Sequence, residues 1–555
     1  VYNCALHRAD SPPPGAPMSR PARLLATLGT LATLATLATL AAIAVPTAPL
    51  AAQRPAQRPA QRPAQRSAPT AGLDQYIERA MHDWHVPGLA VAIVHNDSVV
   101  FAKGYGVRDI GKADRVDPRT IFAIGSNSKA FTSTAIAMMV DSGRMHWDDH
   151  ATKYLPGFQL YDPYVTREIT VRDLLSHRSG LGRRGDLLWY GSPYSRAEIL
   201  RRIRYLPPNS SFRSQFGYSN IMVLAAGQAL AAAADTTWDD VIVQRIFTPL
   251  GMTSSSTSIA ALARQNDVAS PHLIEKGIAR AIPWRNVDNI GPAGSINSDV
   301  LDMAQWIRLQ LGNGTYAGRQ LVSERSLQET HSPQTIISSP HDSLTPSTHF
   351  ALYGMGWVLE DYRGREIVWH NGGIDGMLSE VRLVPQAQLG IVILTNAEGH
   401  NLNPALMYRI IDAYLGAPAR DWSALYLARF KQAQAAQQAA EQKVLAARVT
   451  GTKPSLPLDR YVGTYADTMY GNATVALEQN KLILRYGPAF TGDLEHWNFD
   501  TFRVTWRDPR LGAGFVTFGL SAMGKVNHMN VEGITDFHFV PDTTSRTAAL
   551  PSPSR

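Results

Sequence analysis

The stretch Ile124-Gly-Ser-Asn-Ser-Lys-Ala-Phe-Thr-Ser133 sets a serine, Ser126, three residues before a lysine, Lys129, at the point where an apolar run begins. The run from Ala130 to Val140 carries Phe131, Ile136, Met138 and Met139, and it stops at Asp141-Ser-Gly143, where the glycine suits a helix end. It is apolar nearly all round, which predicts a buried helix. Ser126 and Lys129 then share one face of its first turn, so the amine can lie beside the hydroxyl. Burial disfavours a charged amine there, and so does the positive end of the helix dipole. A neutral amine next to a serine is the pairing that makes the hydroxyl a nucleophile. The helix start also offers backbone N–H groups to a developing oxyanion. A serine three positions before a lysine is a common spacing. Yet of the ten lysines in this chain only Lys129 has one.

Two partners follow in order. Phe216-Gly-Tyr-Ser-Asn220 holds a Tyr-x-Asn triplet, Tyr218 and Asn220, ahead of the long apolar run Ile221–Ala234. A tyrosine hydroxyl aimed at Ser126 and Lys129 can shuttle a proton, and the Asn220 amide can hold Lys129 or a substrate carbonyl. A second triplet, Tyr470-Gly-Asn472, shows that the pattern alone proves little. The third element is Val368-Trp-His-Asn-Gly-Gly373, whose His370-x-Gly372 is the only Lys/His-x-Gly in the chain. As a strand it lets a substrate backbone pair along its edge, and Gly372 and Gly373 allow close approach. The Gly373 amide is the expected second oxyanion donor, beside that of Ser126.

Ser-x-x-Lys, Tyr-x-Asn and His-x-Gly in this order resemble the β-lactamase-related serine hydrolases, a group with class C β-lactamases, DD-peptidases, D-aminopeptidases and esterases. Leu174-Leu-Ser-His-Arg-Ser-Gly-Leu181, Pro249-Leu-Gly-Met252 and Gly294-Ser-Ile-Asn-Ser298 resemble further segments of that family. The resemblance implies an α/β (α+β) fold: an antiparallel sheet flanked by helices, with an all-helical region. It also implies an acyl-enzyme on Ser126, with Lys129 and Tyr218 as acid and base. Asn220, His370, Gly372 and Gly373 are then the substrate-binding set. The tail, with Tyr461-x-Gly463-x-Tyr465, resembles the lipocalin-like barrel fused to some members. One departure stands out: β-lactamases of this type usually carry lysine where this chain has His370. Histidine titrates near neutrality, so its grip on a substrate carboxylate is expected to weaken as pH rises. That favours a peptidase, aminopeptidase or esterase.

Periodicity outlines the domains. Gly88–Val94 and Ser98–Lys103 are β-branched runs around the turn His95-Asn-Asp97, and Gly356–Leu359, Glu366–Asn371, Met377–Leu383 and Leu389–Asn396 are strand-like. Between them lie the helical stretches Phe131–Asp141, Ile221–Ala234, Trp238–Phe247 and Val300–Gly312, and residues 404–415 close the domain. Strands at both ends with helices between predict one antiparallel sheet beside a helical region. Past residue 457, seven short strand-like runs predict a small β-barrel. The expected division is a leader at 1–52, a Gln-Arg-Pro-Ala linker at 53–71, the hydrolase domain at 72–416, a helical linker at 417–456, the barrel at 457–545 and a tail at 546–555.

The leader has a basic start at Met18–Arg23 and an uncharged run, Leu24–Ala44. This is a signal-peptide pattern, with an uncleaved anchor as the rival reading. Residues 1–17 precede Met18 and read as an over-extended frame. Export to the periplasm or medium is expected, and a membrane tether only through the leader. The net charge of +7 belongs largely to this region. Residues 1–66 hold seven arginines and one acid, Asp10, and the remainder has 46 basic and 45 acidic residues. No basic run tracks a phosphate backbone, so no nucleic-acid partner is expected. The single cysteine, Cys4, excludes thiolate metal sites and disulfides. His82-x-x-His85 has chelating spacing but no further ligand near it, so neither a metal nor a cofactor is expected. His177 reads as a hydrogen-bonding residue under the site. Trp189 and Tyr190 read as cleft wall or core. The partner expected is a small-molecule or short peptide substrate, with homo-oligomerisation, if any, through the barrel. The reading is an exported serine hydrolase for D-peptides or small esters. A β-lactam-hydrolysing enzyme and an inactive cell-wall peptide sensor stay open as rivals.

Overall fold

The structure is a computed structural model that describes residues 68–338 and 342–541. The expected leader, nearly all of the Gln-Arg-Pro-Ala linker and the tail lie outside the described residues. No helix among the described residues is long and apolar enough to cross a membrane.

An eight-stranded antiparallel sheet organises the first domain. Its strands are β1 (Gly88–His95), β2 (Ser98–Gly106), β3 (Thr335–Ser338), β4 (Ala351–Tyr353), β5 (Val358–Tyr362), β6 (Arg365–Ile374), β7 (Met377–Val384) and β8 (Leu389–Thr395), in the order β2-β1-β8-β7-β6-β5-β4-β3. β1 is buried from Gly88 to Val94 and β8 throughout, because both faces of the sheet are covered. Their unbroken apolar sequences follow from that position. Leu89, Val91 and Ile93 of β1 join Ile391 and Ile393 of β8 in one core with helices α1 (Leu73–Trp84) and, further along the chain, residues 402–414.

Helix α2 (Ser128–Asp141) follows a single 3₁₀ turn, Gly125–Asn127, that carries Ser126. Every residue of α2 from Ser128 to Met139 is buried, as its all-round apolar sequence predicts. Its neighbours are α3 (Asn220–Ala234) and α4 (Val300–Leu311), which packs on β1 and β8. Phe131 of α2 stacks on Trp306 of α4 at 3.9 Å and meets Phe247 edge-on. Burying one such ring contributes about 2–3 kcal/mol. The helical stretch expected at Trp238–Phe247 is α-helical only to Ile242 and continues as a π-helical turn, Val243–Phe247.

The sheet differs from the sequence reading at one edge. The strand expected at Gly356–Leu359 runs from Val358 to Tyr362, and β3 and β4 were not foreseen. Both are short outer strands whose residues have little apolar periodicity to read. Helix α5 (Leu402–Tyr414) closes the domain, and α6 (Trp422–Ala446) leads to the second. Only Trp422 and Ser423 of α6 are buried. Trp422 donates to Asp412 of α5 and Ser423 accepts from Trp84 of α1, and Tyr426, Leu427 and Phe430 pack on the same core, so the helix is pinned over its first turns and exposed beyond them.

The second domain is a closed barrel of eight antiparallel strands, β9 (Gly463–Asp467), β10 (Gly471–Glu478), β11 (Lys481–Tyr486), β12 (Phe490–Asn498), β13 (Thr501–Trp506), β14 (Ala513–Leu520), β15 (Val526–Val531) and β16 (Thr535–Val540). β9 pairs with β16 and removes the open edges. Seven of these runs are legible in the sequence; β12 alternates weakly and was missed. The interior is filled by Tyr461, Tyr465, Phe502 and Phe518, with Tyr461 and Phe518 at 5.0 Å. A cavity of about 20 Å³ remains at one end, room for about one water. Leu187 of the first domain projects to it, beside Leu484, Phe490 and Trp506.

Candidate active site

Ser126 sits half-buried on its 3₁₀ turn, and three structures converge on it. Lys129, fully buried in the first turn of α2, brings Nζ to 2.9 Å from Ser126 Oγ. Tyr218, just before α3, sets its hydroxyl 2.8 Å from the same oxygen. Lys129 Nζ also lies 2.8 Å from Asn220 Oδ1 and 2.8 Å from the Ala293 carbonyl. Those two oxygens can only accept. A neutral amine has two N–H bonds, and both are then engaged. Its lone pair is left facing Ser126, whose O–H can donate to it while Oγ accepts from Tyr218.

The surroundings favour that neutral amine. Burial holds Lys129 well below the usual lysine range, and the Arg183 guanidinium adds to this; Asp186 opposes it. Arg183 lies over the Tyr218 ring at 4.3 Å with its side chain about half exposed. Asp186 accepts from Trp189 Nε1 at 2.8 Å and from Asn220 Nδ2 at 3.3 Å, and burial pushes its carboxyl up. The second contact fixes the Asn220 amide with its oxygen toward Lys129. Both ends of Asn220 are therefore occupied within the protein, so it holds the lysine.

β6 meets the serine turn at its two glycines. Gly125 has φ +51°, and a Cβ on it would lie 2.7 Å from the Gly373 amide nitrogen. A Cβ on Gly372 would lie 1.9 Å from the Ile124 carbonyl. Only glycine on both sides allows the two backbones to touch. Ser379 of β7 completes the clamp, donating to the Ile124 carbonyl at 2.6 Å and accepting from Asn127 Nδ2 at 2.7 Å.

His370 corrects the sequence expectation. Its ring is 2 % exposed and engaged at both nitrogens: Nδ1 at 2.6 Å from the Asn371 carbonyl, Nε2 at 3.0 Å from Tyr353 Oη. The carbonyl can only accept, so Nδ1 carries the proton and Tyr353 donates to Nε2. Burial lowers the His370 pKa to about 3. A ring held that low is neutral near pH 7, and both of its nitrogens are already engaged, which weighs against the pH-dependent cationic grip on a carboxylate. A positional motif can mark the residue, but its titration depends on burial that the motif does not encode. His177 lies beneath Tyr218, its ring 4.3 Å away, and accepts the Ser219 N–H at 3.2 Å. Trp189 and Tyr190 are both buried, each through a polar tie: Trp189 to Asp186, Tyr190 to Asp375 at 2.9 Å.

Residues 73–416 match the Beta-lactamase family. This chain belongs to that family. Residues 447–545 match a domain of unknown function, DUF3471. Among curated relatives of this Beta-lactamase-family chain, Unguisins hydrolase ungD' of Aspergillus campestris is 29% identical over 74% of this chain and 78% of its own length. Unguisins hydrolase ungD of Aspergillus violaceofuscus is 27% identical over 78% and 83%. Protein flp of Staphylococcus aureus is 26% identical over 58% and 62%. Among solved structures, the octameric penicillin-binding protein homologue from Pyrococcus abyssi aligns with TM-score 0.56 at 20% identity, over 84% of this chain and all but 1% of that one, having 99% coverage. SurE aligns with TM-score 0.51 at 19% identity, over 85% and 99%. These two share the fold of this serine hydrolase.

Sequence reasoning missed Arg183, Asp186, Ala293, Tyr353 and Ser379. Arg183 and Asp186 follow directly on Leu174–Leu181, and Ala293 precedes Gly294–Ser298, both segments already marked by family resemblance. Extending those segments by a few residues would have found three of the five. Tyr353 and Ser379 carry no local signal.

Proposed function

We propose that this protein is an exported hydrolase that works through an acyl-enzyme on Ser126, with short peptides or amides containing D-residues, or small esters, as substrates. The observation that carries the reading is the convergence of Lys129 and Tyr218 on one hydroxyl, with the amine's N–H bonds engaged elsewhere. Ser126 Oγ attacks the carbonyl carbon and its proton passes to Lys129 Nζ. The carbonyl oxygen becomes an oxyanion held by the Ser126 and Gly373 amides. Tyr218 hands a proton to the leaving nitrogen or oxygen as the C–N or C–O bond breaks and is reprotonated from Lys129 Nζ by way of the same site. Water then attacks the acyl-enzyme, losing a proton to the same pair, and that proton returns to Ser126 Oγ as the acyl group departs.

The neutral, fully engaged His370 supports a substrate that needs no cation at that point, and so a peptide or ester ahead of a β-lactam. The two fungal relatives named as hydrolases support hydrolysis as the reaction class. A panel of p-nitrophenyl esters, D- and L-aminoacyl anilides and a chromogenic cephalosporin tests this on the wild type and on Ser126→Ala. Turnover of an ester or D-anilide is expected, with a loss of at least about 1000-fold in Ser126→Ala. Turnover that survives the alanine sinks the reading. Slow labelling by the cephalosporin with no turnover of anything would favour a sensor.

A further inference from the structure

The turn that follows Gly373 is held from the other domain. β6 and β7 are joined by two residues, Asp375 and Gly376, between the paired Ile374 and Met377. Asp375 is 3 % exposed. Its carboxylate accepts from Tyr190 Oη at 2.9 and 3.0 Å and from Arg285 Nε at 2.7 Å. Arg510 Nη1 of the barrel also donates to it. Arg510 lies on the loop between β13 and β14 and donates through Nε to Asp508 at 2.7 Å on the same loop. Asp508 in turn meets Arg285 at 3.3 Å. Two arginines and two aspartates thus close a neutral cluster across the domain boundary, with the Arg285 guanidinium 4.8 Å over the Tyr190 ring. The other end of the turn is tied within the first domain, where the His272 N–H donates to the Gly376 carbonyl at 3.1 Å.

We propose that Arg510 is a positioning residue for catalysis: through Asp375 the barrel holds the β6–β7 turn so that the Gly373 amide stays seated on the serine turn. The inference rests on the acyl-enzyme reading above. Its physical basis is the two-residue connection. A displacement of Asp375 must be absorbed by Ile374 and Gly373, because the hairpin has no slack between them. Removing Arg510 leaves two carboxylates sharing Arg285 in a poorly solvated space, a net charge of −1 where there was none. Asp375 relieves that by moving toward water, and the Gly373 amide moves with it. Simple glue between domains would also use such a cluster. The difference is that glue acts on stability and this device acts on the transition state.

The test uses the full-length protein and whichever substrate the wild type turns over. Arg510→Met is expected to lower kcat about 10- to 100-fold with KM little changed. Phenylboronic acid, whose tetrahedral adduct on a serine places an oxygen in the oxyanion site, should bind more weakly by the same factor. Arg510→Lys, which keeps a cation near Asp375 but loses the fork to Asp508, should restore part of both. Should Arg510→Met not fold, Tyr190→Phe and Asp508→Asn decide in the same direction with smaller losses. Unchanged kcat and boronate affinity in these variants, or a lowered Tm with intact kcat, overturns the proposal. Turnover by the wild type that vanishes in Ser126→Ala keeps the acyl-enzyme reading standing whichever way this falls.

Discussion

Lys129 has three oxygen neighbours and no carboxylate in direct contact, so its base form depends on burial and on the charge of Arg183. Only the unprotonated amine can take the serine proton. Activity should therefore fall as pH drops through the Lys129 pKa, giving an acid limb. Arg183 disfavours the protonated form, so Arg183→Gln raises that pKa and moves the acid limb to higher pH. A kcat/KM profile from pH 5 to 10 checks this, and a limb that stays in place or moves down refutes it. His370 should add no inflection between pH 5 and 8, since burial already keeps it neutral down to about 3. At this scale the sequence was informative about which residues meet, because Ser-x-x-Lys is a local helical relation. It was silent on protonation, which is a property of surroundings assembled from remote segments: Asp186, Asn220 and Ala293 reach Lys129 from three different parts of the chain.

Among elements, the decisive contact is strand β6 lying on the serine turn. Its closeness is set by Gly372 and Gly125, and a methyl group on Gly372 would meet the Ile124 carbonyl at 1.9 Å and Ser379 Oγ at 2.5 Å. Gly372→Ala should push the strand away, lowering stability by about 1–3 kcal/mol and kcat by about 10-fold or more. Thermal melting and steady-state kinetics measure the two together. A variant with wild-type kcat would mean that the strand does not supply the oxyanion donor. The central strands could be read from sequence because both faces are covered, which leaves long apolar runs. The short outer strands β3 and β4 could not, since their pairing is decided by the neighbour and not by their own pattern.

At the level of the molecule, the hairpin turn at Asp375 joins the two domains and has an acid close by. Burial pushes Glu398 up to about 7, the nearby Asp375 charge reinforces this, and a hydrogen bond from Gly376 opposes it. A carboxyl whose folded pKa is raised stabilises the fold while it stays protonated. That contribution is complete below about 4.5, its ordinary value, and is lost as pH rises through about 7. Relative to Glu398→Gln, the wild type should lose on the order of 1–3 kcal/mol between pH 4.5 and 8. Denaturant midpoints at the two pH values give the difference, and parallel curves for the two proteins would rule it out.

Sequence alone carried the sheet-and-helix class, the β character of the tail and, in the order of three short motifs, the meeting of Ser126, Lys129 and Tyr218. Each of these is written in local spacing or in the period of apolar residues. Tertiary structure alone decided that His370 is a neutral support, that Asn220 serves Lys129, and that Arg510 of the barrel reaches the turn beside Gly373. Those outcomes depend on burial and on partners as far as 135 residues apart, and neither quantity is carried by any short stretch of chain.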